Sequence, residues 1–313
     1  MKTNLWIDTD PGIDDAFACA VACAHRDKLN LLGISTVAGN QTIDKVTGNA
    51  LYLTHLCNSD DVPVVGGSPR PLIRVPHPTA DIHGPYGLGY LVPEACGKKV
   101  AAKNGIVYMY QTISSLPEGQ KATIAAIGPL TNIALLLKTF PEVKDKIEQI
   151  VLMGGAAYGG NVTPTAEFNI WADPEAAEIV FQAELPIVMC GLDVTMKCVL
   201  TREHLAQLAS GGSFQKKYAE MLRFYFDSPA YRDLNTTALH DVVTILYILD
   251  PDLFCGEKHV VHVSCTEDTC RGTTMVYDVG YSYQKKERQN VLLLNQVDLP
   301  KFQKAVMDAL FSY

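Results

Sequence analysis

The sequence predicts an α/β fold: a single domain over residues 1–313, with a mostly parallel central β-sheet flanked by helices. Three observations predict it. Short β-branched runs alternate with longer amphipathic ones along the chain, the pattern of a parallel sheet covered on both faces. A composition of 48% hydrophobic and only 19% charged residues provides ample core material and is incompatible with disorder as the main state. No low-complexity linker or internal repeat divides the chain.

Taken in order, Leu5-Trp6-Ile7 reads as the first strand and is followed by a helix from about Asp14 to His25. Cys19 and Cys23 lie four apart on that helix pattern and read as core packing. Leu31 to Val37 is a second strand, with a helix from about Ile43 to Cys57. Ala122–Ile127, Ile150–Met153 and Ile187–Cys190 read as further buried strands. Helices follow at Asn132–Thr139, Pro174–Phe181, Arg202–Leu208 and Lys216–Phe226. Most apolar runs end in a polar or glycine-rich cluster: Asp8-Thr9-Asp10-Pro11-Gly12, Ala38-Gly39-Asn40, Gly128-Pro129-Leu130-Thr131-Asn132, Gly154-Gly155 and Gly191-Leu192-Asp193. In parallel sheets, ligands bind outside the carboxyl ends of the strands, so these clusters should share one crevice.

Acidic residues outnumber basic ones by 34 to 26, a formal charge of −8 that argues against a nucleic-acid partner. No stretch approaches the length of a membrane span and the first residues lack a signal-peptide pattern. The nine cysteines form no CxxC pair, which disfavours zinc ribbons and predicts free thiols in a cytoplasmic setting.

The strongest local signal is Asp8-Thr9-Asp10-Pro11-Gly12-Ile13-Asp14-Asp15. Four carboxylates in eight residues repel one another, and folding them together calls for a hard divalent cation with oxygen ligands. An exposed acidic turn is the bland alternative, but a buried strand leads straight into the cluster. An EF-hand loop starting at Asp8 would require Gly and Glu where Ile13 and Cys19 stand. A Walker A pattern is absent around Gly97-Lys98. A Mg²⁺ phosphatase of the Asp-x-Asp type is the nearer rival, although Pro11-Gly12 stands where Gly-Thr is usual.

The first motif, Asp8 to Ala16, resembles the N-terminal signature of the inosine–uridine-preferring nucleoside hydrolases. Other segments resemble that family in the right order: Val37-Ala38-Gly39-Asn40, Asp81-Ile82-His83-Gly84, Gly128-Pro129-Leu130-Thr131-Asn132, Val151-Leu152-Met153-Gly154-Gly155, Ala166-Glu167-Phe168-Asn169 with Asp173-Pro174-Glu175-Ala176-Ala177, and Leu239-His240-Asp241. The resemblance implies that family's fold, with an active site at the C-terminal ends of the strands. It implies Ca²⁺ held by Asp10, Asp15, Asp241 and the backbone carbonyl of Ile127. The implied reaction is hydrolysis of the N-glycosidic bond of ribonucleosides, with Asp10 as general base on the metal-bound water. Asp14, Asn40, Asn161, Glu167 and Asn169 are the implied ribose contacts. His240 is the implied acid for the departing base, and His83 a second histidine near it. Retention of both histidines favours uridine and inosine, with cytidine alongside. A homodimer or homotetramer is expected.

The segment from Met221 to His240, with Phe224, Tyr225, Phe226, Tyr231 and Arg232, is where the base should be read, by stacking or by closing over the substrate. A third reading of the whole chain is a ribose or nucleoside sensor without turnover. His25, His55, His77, His204, His259 and His262 are read as surface or packing residues.

Overall fold

Thr3–Thr9 forms strand β1 near the middle of the sheet, and its last five residues are buried. A strand covered on both faces needs apolar side chains pointing both ways, which Leu5, Trp6 and Ile7 supply. The computed structural model describes residues 2–229, 231–277 and 289–313.

From β1 the chain passes through α1 (Ile13–Ala24) to β2 (Leu29–Thr36), α2 (Ile43–Leu56) and the short β3 (Val64–Gly66). Helices α3 (Ala80–His83) and α4 (Gly105–Ser114) precede β4 (Ala122–Ala126). Then come α5 (Thr131–Thr139), β5 (Ile147–Met153), α6 (Phe168–Ala172), α7 (Pro174–Phe181) and β6 (Ile187–Cys190). A short α8 (Leu192–Thr195) leads to β7 (Val199–Thr201), α9 (Arg202–Ser210), α10 (Ser213–Asp227) and β8 (Thr236–Ala238). The last elements are α11 (Val242–Leu249), β9 (Phe254–Val263), β10 (Thr274–Tyr277), β11 (Val291–Val297) and α12 (Leu299–Leu310).

Among the described residues, nine strands form one sheet in the order β10-β9-β11-β6-β5-β4-β1-β2-β3, and β7 pairs with β8 in a separate ribbon. All pairings from β11 across to β3 are parallel, and β9 runs against both β11 and β10. Strand β1 lies between β2 and β4, so the chain winds outward in one direction from β1 and then returns to wind the other way. That reversal opens a crevice beyond the carboxyl ends of β1 and β4. The five predicted strands all belong to this sheet, and the six predicted helices are α1, α2, α5, α7, α9 and α10. Helix α10 starts at Ser213, three residues before its predicted start. Phe214 stacks on Tyr218 and Tyr313, which holds that extra turn.

The core lies on both faces of the sheet. One cluster joins α1, α2, α10, α11 and α12 to one face, and the other joins α4, α5 and α7 to the opposite face. Helix α1 is buried along almost its whole length, Cys19 and Cys23 included. Its small side chains, mostly Ala and Cys, let other helices approach it closely. This burial anchors the helix whose first turn carries Asp14 and Asp15. No helix among the described residues is long and apolar enough to cross a membrane.

Candidate active site

Strand β1 delivers Asp8 and Thr9 to the crevice, and Asp10-Pro11-Gly12 turns the chain into α1. Asp10 is fully buried, and its Oδ2 accepts the backbone N–H of Asn40 at 2.6 Å. Its Oδ1 is buried without any hydrogen-bond partner. Two glycines make room for this carboxylate. A β-carbon at Gly39 would overlap Asp10 Oδ2, and one at Gly128 would lie 2.6 Å from Oδ1. Asp15 reaches back from the first turn of α1. It accepts from the Thr9 hydroxyl at 2.5 Å, the Gly12 N–H at 2.8 Å and the Asn40 side-chain amide at 3.3 Å.

Asp241, at the start of α11, approaches from the far side. Ligand oxygens of Asp14, Asp15 and Asp241 lie within 4.8 Å of one another, and all three residues are buried. This Asp cluster can bind a metal ion. Asp10 is not among those three, but its charge acts on Asp241. Burial first, and then the neighbouring charges of Asp15 and Asp14, push the Asp10 carboxyl well above its usual range. Asp241 is pushed up by burial and by Asp14, Asp15 and Asp10. Asp15 rises to about 6, again through burial and Asp14. Bare, such a cluster holds protons; a divalent cation supplies the charge that lets it ionise. The partnerless Oδ1 of Asp10 is a further acceptor in want of a positive partner.

Above these carboxylates lies a cavity of about 280 Å³. Nine of the eleven predicted site residues line it: Asp14, Asn40, His83, Ile127, Asn161, Glu167, Asn169, His240 and Asp241. Asp10 and Asp15 are not part of that lining. Glu167 caps α6 and accepts from the backbone N–H groups of Gly155, Asn169 and Ile170, at 2.9, 2.9 and 3.2 Å. Burial raises its carboxyl to about 7. The Asn169 amide donates to the carbonyls of Ile127 at 3.2 Å and Met153 at 3.1 Å, tying together the ends of β4 and β5. Asn161 is exposed, with its Oδ1 accepting from Phe168 N–H at 2.9 Å.

The two histidines lie on the cavity wall. His83 packs over Gly12, and its Nδ1 accepts the Ile13 N–H at 3.1 Å. A nitrogen that accepts cannot carry the proton, so the neutral ring is protonated on Nε2. Tyr225 lies edge-on to His83 and donates its hydroxyl to Asp14 Oδ1 at 2.9 Å. His240 pairs through Nδ1 with the Thr195 hydroxyl at 2.8 Å. Burial lowers the pKa of both rings below the usual histidine value. The other six histidines are elsewhere: His204 completes the cap of α9, for example, and His55 faces Asp60 on the surface.

The family model for inosine–uridine preferring nucleoside hydrolases matches residues 5–304. The chain belongs to that nucleoside hydrolase family. It is 39% identical to the non-specific ribonucleoside hydrolase RihC of Escherichia coli over 311 residues, 99% of each chain. The RihC protein of Shigella sonnei is equally similar. Among solved structures, a plant nucleoside hydrolase superposes with a TM-score of 0.91 at 29% identity, covering 100% of both chains. A purine-preferring ribonucleoside hydrolase from Gardnerella vaginalis gives 0.91 at 30% identity, over 99% of this chain and 98% of that one. The chain is thus an N-glycosyl hydrolase of the ribonucleoside class.

In this nucleoside hydrolase the aromatic segment after Met221 divides by function. Tyr225 and Tyr231 line the cavity, whereas Phe226 is in the core with the Arg202 guanidinium 4.6 Å from its ring centroid. Phe224 packs on Tyr90, and Arg232 faces solvent beside Asp233. Residue 230 of this segment lies outside the described residues. Sequence reasoning missed Thr79, Ile82, Met153, Val162 and Phe168, which with Ala238 complete the wall. Ile82, Val162 and Phe168 flank predicted residues, but nothing in the chemistry of the five marks a site. It also missed Thr195, and it named Asp193 only within the strand-end cluster Gly191-Leu192-Asp193, without a role. Asp193 accepts the N–H groups of Ala157 and Tyr158 at 2.9 and 3.2 Å, anchoring the loop that carries Asn161.

Proposed function

We propose that the chain hydrolyses inosine, uridine and cytidine to ribose and free base, in nucleoside salvage or catabolism. The observation carrying this reading is the arrangement of the cavity, with buried carboxylates along its floor and two histidines on its wall. Hydroxyl-binding groups suit a ribose on the carboxylate side, and ring N–H groups suit a base on the other.

Asp10, Asp15, Asp241 and the Ile127 carbonyl would hold Ca²⁺, with Asp14 close by. The unpartnered Asp10 Oδ1 and an all-oxygen donor set fit a hard dication. When bound, Ca²⁺ would lower the pKa of a coordinated water and engage the ribose hydroxyls. Asp10 takes the proton of the attacking water, oriented by the Asn40 N–H on Oδ2. Asp14, Asn40, Asn161, Glu167 and Asn169 bind the sugar. The surrounding carboxylates and amide oxygens stabilise the positive charge that develops on the ribose as the glycosidic bond breaks. His240 donates to the departing base and His83 assists from the neighbouring wall.

The Asp-x-Asp phosphatase reading fares worse. Its nucleophile must meet a phosphate, but Asp8 is fully buried, bonded to Ser35 and to the Asn132 amide at 2.7 Å. Asp10 is surrounded by carboxylates that would repel the substrate. A homodimer or homotetramer and a cytoplasmic location complete the proposal; the latter rests on nine cysteines, all as free thiols.

Incubation with uridine, cytidine, inosine and adenosine, followed by reducing-sugar measurement, tests the reading. Ribose release is expected from the first three. Tight binding of metal and ribose with no release from any nucleoside would leave a sensor instead.

A further inference from the structure

We propose that Thr195 is a positioning residue that fixes the ring proton of His240 on Nε2, so that the departing base meets an N–H donor. This deepens the proposed role of His240 and rests on it. The argument starts from the hydroxyl. Thr195 is fully buried, and His240 Nδ1, at 2.8 Å, is its only side-chain hydrogen-bond partner among the described residues. Were Nδ1 to carry the proton, Oγ1 would accept and its own hydrogen would be buried with no acceptor. That arrangement forfeits a hydrogen bond, so the hydroxyl donates and Nδ1 accepts. The proton of the neutral ring is then on Nε2. No protein group of the described residues bonds that nitrogen, and His240 lines the cavity.

The fold holds this pair in register. The Thr195 N–H bonds the Gly191 carbonyl at 3.0 Å, closing the turn of α8 directly beyond β6. Three residues later Cys198 accepts the Leu239 N–H at 2.9 Å, and β7 and β8 pair from Val199 opposite Ala238. The hydrogen bond between the side chains lies just beyond that end of the ribbon, between α8 and the residue before Asp241. His83 receives the same treatment from a different donor, because the Ile13 N–H occupies its Nδ1. Both wall histidines therefore offer Nε2–H, and both hydrogen bonds strengthen as electrons from the breaking glycosidic bond accumulate on the base. The matching substrate feature is a base with acceptor atoms that gain charge on departure.

The test combines spectroscopy with kinetics on the full chain. Protein labelled with ¹⁵N-histidine is compared with His240→Ala, which identifies the His240 signals. Their ¹⁵N shifts should report protonation at Nε2 in the wild type and a mixture of tautomers in Thr195→Val. In kinetics, Thr195→Val should lose roughly 10-fold in kcat on inosine, stay within about 2-fold on an activated nitrophenyl riboside, and leave KM nearly unchanged. Thr195→Ser, which retains the hydroxyl, should recover most of the loss. An Nδ1–H signal in the wild type would overturn the proposal, even if Thr195→Val failed to fold. So would equal losses on both substrates, or no recovery with serine. If His240→Ala itself left inosine hydrolysis intact, the role of His240 would fall while the tautomer assignment stood on its own.

Discussion

Replacing Asp10 by Asn is the perturbation whose effect can be followed atom by atom. Asp10 Oδ2 accepts the Asn40 N–H at 2.6 Å, and a donor cannot sit there. The amide oxygen of the variant must keep that position, which puts its NH₂ where Oδ1 now lies without a partner, beside Gly128. At that point the side chain can neither accept a proton nor offer an oxygen to a cation. Loss of a general base alone costs about 10²- to 10⁴-fold. That corresponds to ~3–5.5 kcal/mol of transition-state stabilisation. Weaker metal binding adds to it. Stability moves the other way, because the amide cannot ionise at a position where burial and the charges of Asp15 and Asp14 push the Asp10 carboxyl well above its usual range. Ribose release from inosine and uridine, calorimetric metal titration and thermal melting of the metal-free protein measure the three effects. Turnover within tenfold of wild type would refute Asp10 as the base.

Gly39→Ala should disable turnover without touching any chemical group, since its β-carbon would displace Asp10; the same ribose assay reads the loss, and a Gly39→Ala enzyme of normal activity would contradict the cradle. Tyr225→Phe removes the hydroxyl that Asp14 accepts at 2.9 Å and should cost about 1.5–3 kcal/mol in kcat/KM, the worth of a hydrogen bond to a charged group. Asp8 governs a pH dependence of stability. Burial raises its folded pKa to about 7 from 3.8, so its stabilising protonated form is complete below the lower value and is lost as pH climbs through the upper one. Unfolding of the metal-free protein by urea should therefore become easier between pH 4 and 7, by up to about 4 kcal/mol from this group. Asp8→Asn should make that slope shallower by this group's share, with Asp15 and Glu167 sustaining the rest, and an unchanged slope would count against it.

The sheet was legible where its strands are buried on both faces. Leu5-Trp6-Ile7, Ile124–Ile127 and Ile187–Cys190 are continuous apolar runs, and each ends in a polar cluster at the crevice. Strands β9 and β10 escaped because they lie at the antiparallel edge, where Glu257, Lys258 and His259 interrupt the apolar pattern. The site was readable for a related reason: four carboxylates in eight residues have no cheap explanation in local folding. Thr195 was not readable, because a threonine in a four-residue turn carries no signal until β7 pairs with β8; Asp193 was placed at the crevice by its cluster, but its partners come only when the 154–167 loop folds across. Likewise the aromatic run hides which ring faces the cavity, and helix phase alone separates Tyr225 from Phe226.

The central claim is that these carboxylates serve a divalent cation in nucleoside hydrolysis. The direct measurement is ribose release from inosine by protein stripped with a strong chelator, then titrated with Ca²⁺. Activity should vanish on stripping and return as the cation binds, with Asp10→Asn failing to recover. Full turnover by the metal-free protein would contradict it.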